Sequence, residues 1–188
     1  MNMINRVIKA AMLDVQFFNE AERDTSLNTE ALLVVIIVSI AGGIGAFVGG
    51  LFNGEIGAAV LALFVAAVLG VVNYYIWAYV TYFIGTNLFE GTADPGELLR
   101  VLGYASGPRI LSILSFVPCL GAMLGFVGAV WALIAGFIGV REALDLDTGK
   151  TLVTVVIGWV VVFVISIVVG LVLGVGALGL GAVTSVFN

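Results

Sequence analysis

Two segments of this chain contain residues that catalysis commonly uses, but each lacks a partner that the chemistry requires. Ser106, in the sequence Gly-Tyr-Ala-Ser-Gly, could act as a nucleophile only beside a general base, and the chain contains no histidine. Gly149-Lys150-Thr151 matches the end of a phosphate-binding loop, but that loop needs glycine where this chain has Leu144. We therefore expect no catalytic residue, no cofactor and no enzymatic activity.

The remaining reactive side chains do not suggest a metal site or a proton path. Cys119 is the single cysteine, so it cannot form an internal disulfide and supplies too few ligands for a metal ion. We interpret it as a small apolar side chain. The apolar segments contain Ser, Thr and Asn but no ionisable residue, which argues against an ion-coupled carrier.

A third group combines charged, aromatic and proline residues near the ends of apolar segments. In a bilayer these residues would gather at the inner ends of the third and fourth segments, where they could bind a cytosolic protein or lipid headgroups. The alternative is that such charges only mark the membrane interface and pair with one another. The predicted interaction residues are Glu97, Arg100, Tyr104, Pro108, Arg109, Arg141 and Glu142.

The composition is that of a protein whose surface is covered by lipid. Hydrophobic residues make up 62% of the 188-residue chain and charged residues 10%, whereas a soluble domain averages about 25% charged residues. The net charge of −5 excludes a strongly basic nucleic-acid-binding face and argues against a polybasic lipid-binding segment. We therefore expect membrane lipids as partners and no nucleic acid.

Five apolar segments alternate with short polar ones, and the basic residues indicate their direction. The segments cover about residues 31–51, 56–84, 110–117, 120–140 and 152–173. All seven Lys and Arg residues fall before the first segment, between the second and third, or between the fourth and fifth. Because Lys and Arg in short loops stay in the cytoplasm, we expect an all-α fold with the N-terminus inside and the C-terminus outside.

The third segment depends on a break at Pro118. Without that break, a single long helix would place Arg109 and Arg141 on opposite sides of the membrane. With it, both arginines return to the inside, and proline is a residue at which helices end. The third segment is then short, and it either crosses a thinned bilayer or enters it as a re-entrant element packed against protein.

The ends of the chain differ from its centre. Residues 3–19 have apolar residues at helical spacing, which predicts an amphipathic helix that lies either at the inner membrane interface or packed under the bundle. We divide the chain into an N-terminal segment 1–30, a five-span domain 31–173 and a Gly-rich apolar tail 174–188. Repeated Gly-x-x-x-Gly spacings favour close helix packing, either within the chain or between copies in a homo-oligomer.

The order of several short motifs resembles the Yip family of Ypt/Rab-interacting membrane proteins. The resemblance covers about residues 5–173. The residues that carry it are Gly103-Tyr104-Ala105, Pro108, Pro118, Gly121, Trp131, Gly139, Arg141-Glu142-Ala143-Leu144 and Thr148-Gly149-Lys150.

The resemblance implies a five-helix membrane domain with a cytosolic N-terminus. Eukaryotic members act in vesicle traffic as scaffolds that bind Rab-type GTPases, through a longer N-terminal region than this chain has. This chain resembles a prokaryotic member, which implies the inner membrane. We expect a membrane-organising adaptor or scaffold that acts through its cytosolic face. The alternative is a small-solute or lipid permeation protein with a path lined by spans two to four.

Overall fold

A computed structural model describes residues 1–52, 54 and 56–186, with side chains described up to residue 170. This part of the chain is helical and contains no strand. A 3-10 turn, Thr25–Leu27, precedes the third helix, and a longer 3-10 segment, Gly107–Leu114, follows the fifth. The α-helices are α1 (Met3–Ala11), α2 (Val15–Arg23), α3 (Asn28–Phe52), α4 (Ile56–Phe89), α5 (Pro95–Ala105), α6 (Leu120–Ala143) and α7 (Thr148–Val186).

Four helical stretches of the described residues are long and apolar enough to cross a bilayer. They are Thr25–Phe52, Ile56–Phe89, Leu120–Ala143 and Thr148–Gly170. The third predicted span is not among them, so the prediction of five membrane helices is confirmed for four. The 3-10 segment in its place has 8 residues, which at about 2 Å each give about half the thickness of the hydrocarbon layer.

The outer faces of these helices have apolar side chains that are largely exposed. On α4, Leu61, Phe64 and Val68 lie three to four residues apart on one face and are 64%, 64% and 60% exposed. A water-soluble protein does not expose a continuous face of this kind, because its hydration is unfavourable. These helices are covered by lipid, and the protein is an integral membrane protein.

The 3-10 segment lies in a groove between α3 and α6 that glycine residues line on both sides. A methyl group at Gly45 of α3 would lie 2.7 Å from the carbonyl oxygen of Ser112. A methyl group at Gly128 of α6 would lie 2.7 Å from the carbonyl oxygen of Pro108. These glycines therefore serve packing within the chain, while homo-oligomerisation remains a prediction.

The bundle has two distinct ends. The hairpin end is where α3 ends and α4 begins, and the turn at residues 115–119 lies there, since Phe116 is beside Gly49. The N-terminal end is where α3 begins and α4 ends, and it also carries α1, α2 and the start of α7. Within it, the backbone N–H of Thr92 donates to the carbonyl of Leu144 over 3.1 Å, which joins the α4–α5 and α6–α7 loops.

The predicted N-terminal amphipathic helix forms two helices rather than one. Leu13 adopts a positive φ of 63°, and the carboxylate of Asp14 caps α2 by accepting from the backbone N–H groups of Gln16 and Phe17. Helix α2 packs under the bundle with Phe17 and Phe18 buried. Helix α1 keeps an apolar stripe exposed, at Ile4, Ile8 and Met12.

The C-terminal tail, residues 174–188, continues α7 as a helix as far as Val186. The side chains of this tail lie outside the described residues, and so do residues 187 and 188.

Candidate functional site

Arg100 is buried and holds the N-terminal segment against α5. The residue is 2% exposed, and its Nε donates a hydrogen bond to the carbonyl of Ala21 over 2.9 Å. One Nη donates to Asn28 Oδ1 over 2.9 Å and the other to the carbonyl of Glu22. The two carbonyls belong to the last turn of α2, where no backbone N–H of the helix is left to donate to them. The partial negative charge at this end of the helix also favours a nearby cation. Arg100 is therefore a cap for α2 and not part of an accessible surface.

Tyr104 and Pro108 are also buried, although both were predicted to lie on an interaction surface. The Tyr104 hydroxyl donates to Glu30 Oε1 over 2.7 Å, and Glu30 pairs with Arg6 over 2.6 Å. Burial and the adjacent Glu30 carboxylate raise the pKa of Tyr104 above its usual value, so it stays a hydrogen-bond donor at neutral pH. This network joins α1, α3 and α5.

The other predicted residues at the N-terminal end are partly exposed but lie in separate places. Glu97 forms a capping box with Asp94 at the start of α5, as that sequence predicts. Arg141 pairs with Glu142 over 2.6 Å at the end of α6, and Asn19 of α2 donates to Glu142 over 2.7 Å. Of the seven residues, only Arg141 and Glu142 form an accessible charged pair.

Glu22 is a buried carboxylate that was not among the residues predicted from the sequence. Its Oε1 accepts from Arg23 over 3.2 Å, while its Oε2 is buried with no hydrogen-bond partner in the described part of the chain. Burial raises the pKa of Glu22, and Asp145 and Glu97 raise it further against the opposing effect of Arg23. The ionised Glu22 side chain therefore lowers the stability of the folded protein.

We expect Glu22→Gln to stabilise the protein at neutral pH. A carboxyl with a raised folded-state pKa contributes stability below its unfolded pKa and loses that contribution as the pH rises through the folded pKa. A neutral amide avoids this loss, so the melting temperature should rise at pH 7.5 by the equivalent of about 1 kcal/mol. The difference should vanish near pH 4, at about the unfolded pKa of Glu. Thermal unfolding in detergent at pH 7.5 and pH 4 measures the two differences in melting temperature. Glu20→Gln, on the exposed face of α2, is the control. A melting-temperature increase that grows on acidification contradicts this account.

Arg109 lies within the depth of the bundle, next to Pro108 but away from the predicted charged residues at the N-terminal end. Gly103 packs against Ala31 of α3, and Ser112 packs beside Gly42. Arg109 falls between these two levels, further from the N-terminal end than Arg100. Its side chain is exposed, and among the described residues no carboxylate forms a salt bridge with it.

The exposed side of Arg109 faces a cavity of about 810 Å³ between the helices. The volume is in the range of small-molecule and cofactor sites, about 300–1,000 Å³. Residues from α3 to α7 and from the 3-10 segment line it. Its polar lining consists of Ser39, Asn73, Ser106, Arg109, Ser112 and Ser166, and its aromatic lining includes Tyr74, Trp77, Phe126, Trp159 and Phe163.

The helical period of the 3-10 segment explains how its polar residues meet at this cavity. A 3-10 helix has three residues per turn, so side chains three positions apart share one face. Ser106, Arg109 and Ser112 have this spacing and all line the cavity. The three-residue spacing is visible in the sequence, but it predicts a shared face only if this segment is known to be a 3-10 helix.

The cavity is open between α6 and α7. Phe126 of α6 is 70% exposed, and Trp159 and Phe163 of α7 are 54% and 53% exposed, although all three line the cavity. The rings of Trp159 and Phe163 stack with centroids 5.5 Å apart. The opening therefore has aromatic borders and faces the surrounding lipid.

Within the described part of the chain, no three Cys, Asp or Glu side chains come close enough to hold a metal ion. The site instead combines one cation, several neutral polar groups and an aromatic wall. Such a lining can bind an anionic group attached to an apolar group.

Comparison with known proteins identifies the chain at the level of the family. No curated protein and no solved structure matches it significantly. Residues 13–183 match the Yip1 domain, and this stretch includes both the buried N-terminal network around Arg100 and the cavity around Arg109. Because the match covers most of the sequence, the chain belongs to the Yip1 domain family.

Proposed function

We propose that this protein is a membrane-organising adaptor in the inner membrane of a prokaryote. It acts through its N-terminal end, which faces the cytosol. The basic residues at this end support a cytosolic N-terminus and an external C-terminus by the positive-inside rule. Membership of the Yip1 domain family supports a membrane scaffold.

The observation that carries this proposal is the division of polar groups at the N-terminal end. Arg100, Tyr104 and Glu30 are used internally and hold the end in one shape. The exposed charges are mostly acidic, which favours a partner with a basic surface. These exposed acidic residues are Glu20, Asp24, Glu90, Asp94, Asp145 and Asp147.

The adaptor function predicts that charge changes at this end remove a specific partner. We expect Glu142→Gln and the double variant Glu20→Gln/Glu90→Gln, which both remove negative charge from this end, to lose a protein that crosslinks to the wild type in native membranes. High salt should weaken the same contact, because exposed charge pairs are screened. Gly57→Ala is the control, since Gly57 is near the hairpin end and a methyl group there meets nothing within 4 Å. Crosslinked proteins that are the same in all four samples would exclude this function.

A second function, passage of a small solute or lipid, is favoured by the cavity. Its lining comes from α3, α4, α5, α6, α7 and the 3-10 segment, a wider set than the predicted spans two to four. Trp77 lines the cavity, whereas Tyr75 does not. Flux in proteoliposomes should therefore change in Trp77→Ala and not in Tyr75→Ala, and the absence of flux above empty vesicles would rule it out.

A further inference from the structure

We propose that the cavity binds one anionic phospholipid, with the lipid phosphate at Arg109 and an acyl chain leaving between α6 and α7. This proposal names a ligand for the cavity on which the proposed passage function rests, but a lipid can bind there without crossing the membrane. The two ideas therefore fail separately.

The first argument is the charge of Arg109. A guanidinium within the depth of a membrane protein is costly unless an anion or other polar groups compensate it. The described residues provide no carboxylate for it. A phosphate would compensate the charge and accept two parallel hydrogen bonds from the planar guanidinium.

The second argument is the set of polar groups around it. Ser112 follows Arg109 by one 3-10 turn, and Asn73 lines the same cavity from α4. In the described part of the chain, neither side chain makes a hydrogen bond to protein, so a hydroxyl and an amide are available as donors. The Ser106 hydroxyl is already used, since it donates to the carbonyl of Gly103 over 2.6 Å.

The third argument distinguishes a lipid from a free anion. The cavity opens between α6 and α7, where both helices present apolar side chains to lipid. Phe126, Trp159 and Phe163 border this opening and provide apolar surface for a chain. A free phosphate uses none of that surface, whereas a phospholipid uses both the cation and the aromatic wall.

The fourth argument is the space beside Gly125. This glycine lines the cavity, and a methyl group added to it meets nothing within 4 Å. Gly128, one turn further along α6, is by contrast in close contact with Pro108. The space next to Gly125 is therefore available to a ligand and can be filled by substitution without touching Arg109.

Binding can be measured on the full-length protein by native mass spectrometry in detergent, with added phosphatidylglycerol, phosphatidylcholine or inorganic phosphate. We expect phosphatidylglycerol to be retained and phosphatidylcholine to bind about tenfold more weakly, because phosphatidylcholine carries a choline cation that offsets the phosphate charge and is repelled by Arg109. Arg109→Gln should weaken phosphatidylglycerol binding by about the same factor. Lys150→Gln is the control, because Lys150 is an exposed cation outside the cavity.

A second variant keeps the proposal testable if Arg109→Gln does not fold. Gly125→Leu should place an apolar side chain in the cavity and reduce phosphatidylglycerol binding while Arg109 remains in place. Equal binding of the two lipids, or unchanged binding in both folded variants, would overturn the proposal. Displacement of the lipid by millimolar inorganic phosphate would also overturn it, since it would assign the site to a free anion. Lipid binding without flux in proteoliposomes supports this site and excludes only the passage function.

Discussion

Arg100→Leu should destabilise the protein by about 3–5 kcal/mol, the largest effect we expect from a single substitution. The change removes donors from the carbonyls of Ala21 and Glu22 and from the side chain of Asn28. These acceptors would stay buried, and an unsatisfied buried acceptor costs more than a hydrogen bond gains. The end of α2 would also lose its favourable cation.

Unfolding in detergent, followed by limited proteolysis of residues 1–27, measures this effect. Lys150→Leu is a control on a cation at the same end of the bundle, because Lys150 is exposed and forms no salt bridge among the described residues, so it should contribute less than about 0.5 kcal/mol. Arg100→Lys should fall between the two, since an ammonium keeps the charge but does not reproduce the planar set of donors. If Arg100→Leu and Lys150→Leu unfold alike, Arg100 does not hold the N-terminal segment.

Gly128→Val should cost about 3 kcal/mol, because its side chain would enter the space of the 3-10 segment. The nearest atom to a methyl group there is the carbonyl oxygen of Pro108, at 2.7 Å, with the Arg109 Cα at 3.5 Å. Both atoms belong to the backbone, so the segment itself must move. The same shift would displace Arg109 and reduce lipid retention.

Gly125→Val is the control for this prediction, because it adds the same side chain to the same helix. Both variants change helix propensity equally, so the difference between them reports packing against the 3-10 segment. The comparison uses thermal unfolding in detergent without added lipid. Equal stability of the two variants would show that α6 and the 3-10 segment are not in close contact.

The sequence predicted the parts of this fold that depend on local patterns. Of the five membrane segments that the apolar runs predicted, four are membrane-capable helices, and Asp94 to Glu97 predicted the capping box of α5. Both signals are contained within a few consecutive residues. The break at Pro118 was also predicted, and α6 begins two residues later.

The parts that failed depend on contacts between distant segments. Arg100 looked like an interface residue because its acceptor at Ala21 is 79 positions away in the chain. Arg109 was predicted to lie at the interface together with Arg100, because the apolar residues around it do not show which side chains face an internal cavity. The type of helix was equally decisive, since Ser106, Arg109 and Ser112 share one face only at three residues per turn.

The exposed stripe of α1 has a consequence for how deeply the protein sits in the bilayer. Ile4, Ile8 and Met12 must enter hydrocarbon, so the boundary between headgroups and acyl chains passes along α1. Trp131 fixes the position of α1, because its indole N–H donates to the carbonyl of Ala11 over 2.7 Å. Helix α1 also contacts Gly107, two residues before Arg109. This contact puts Arg109 close to the level of α1, so the lipid that we propose would enter sideways from the adjacent leaflet rather than cross the membrane.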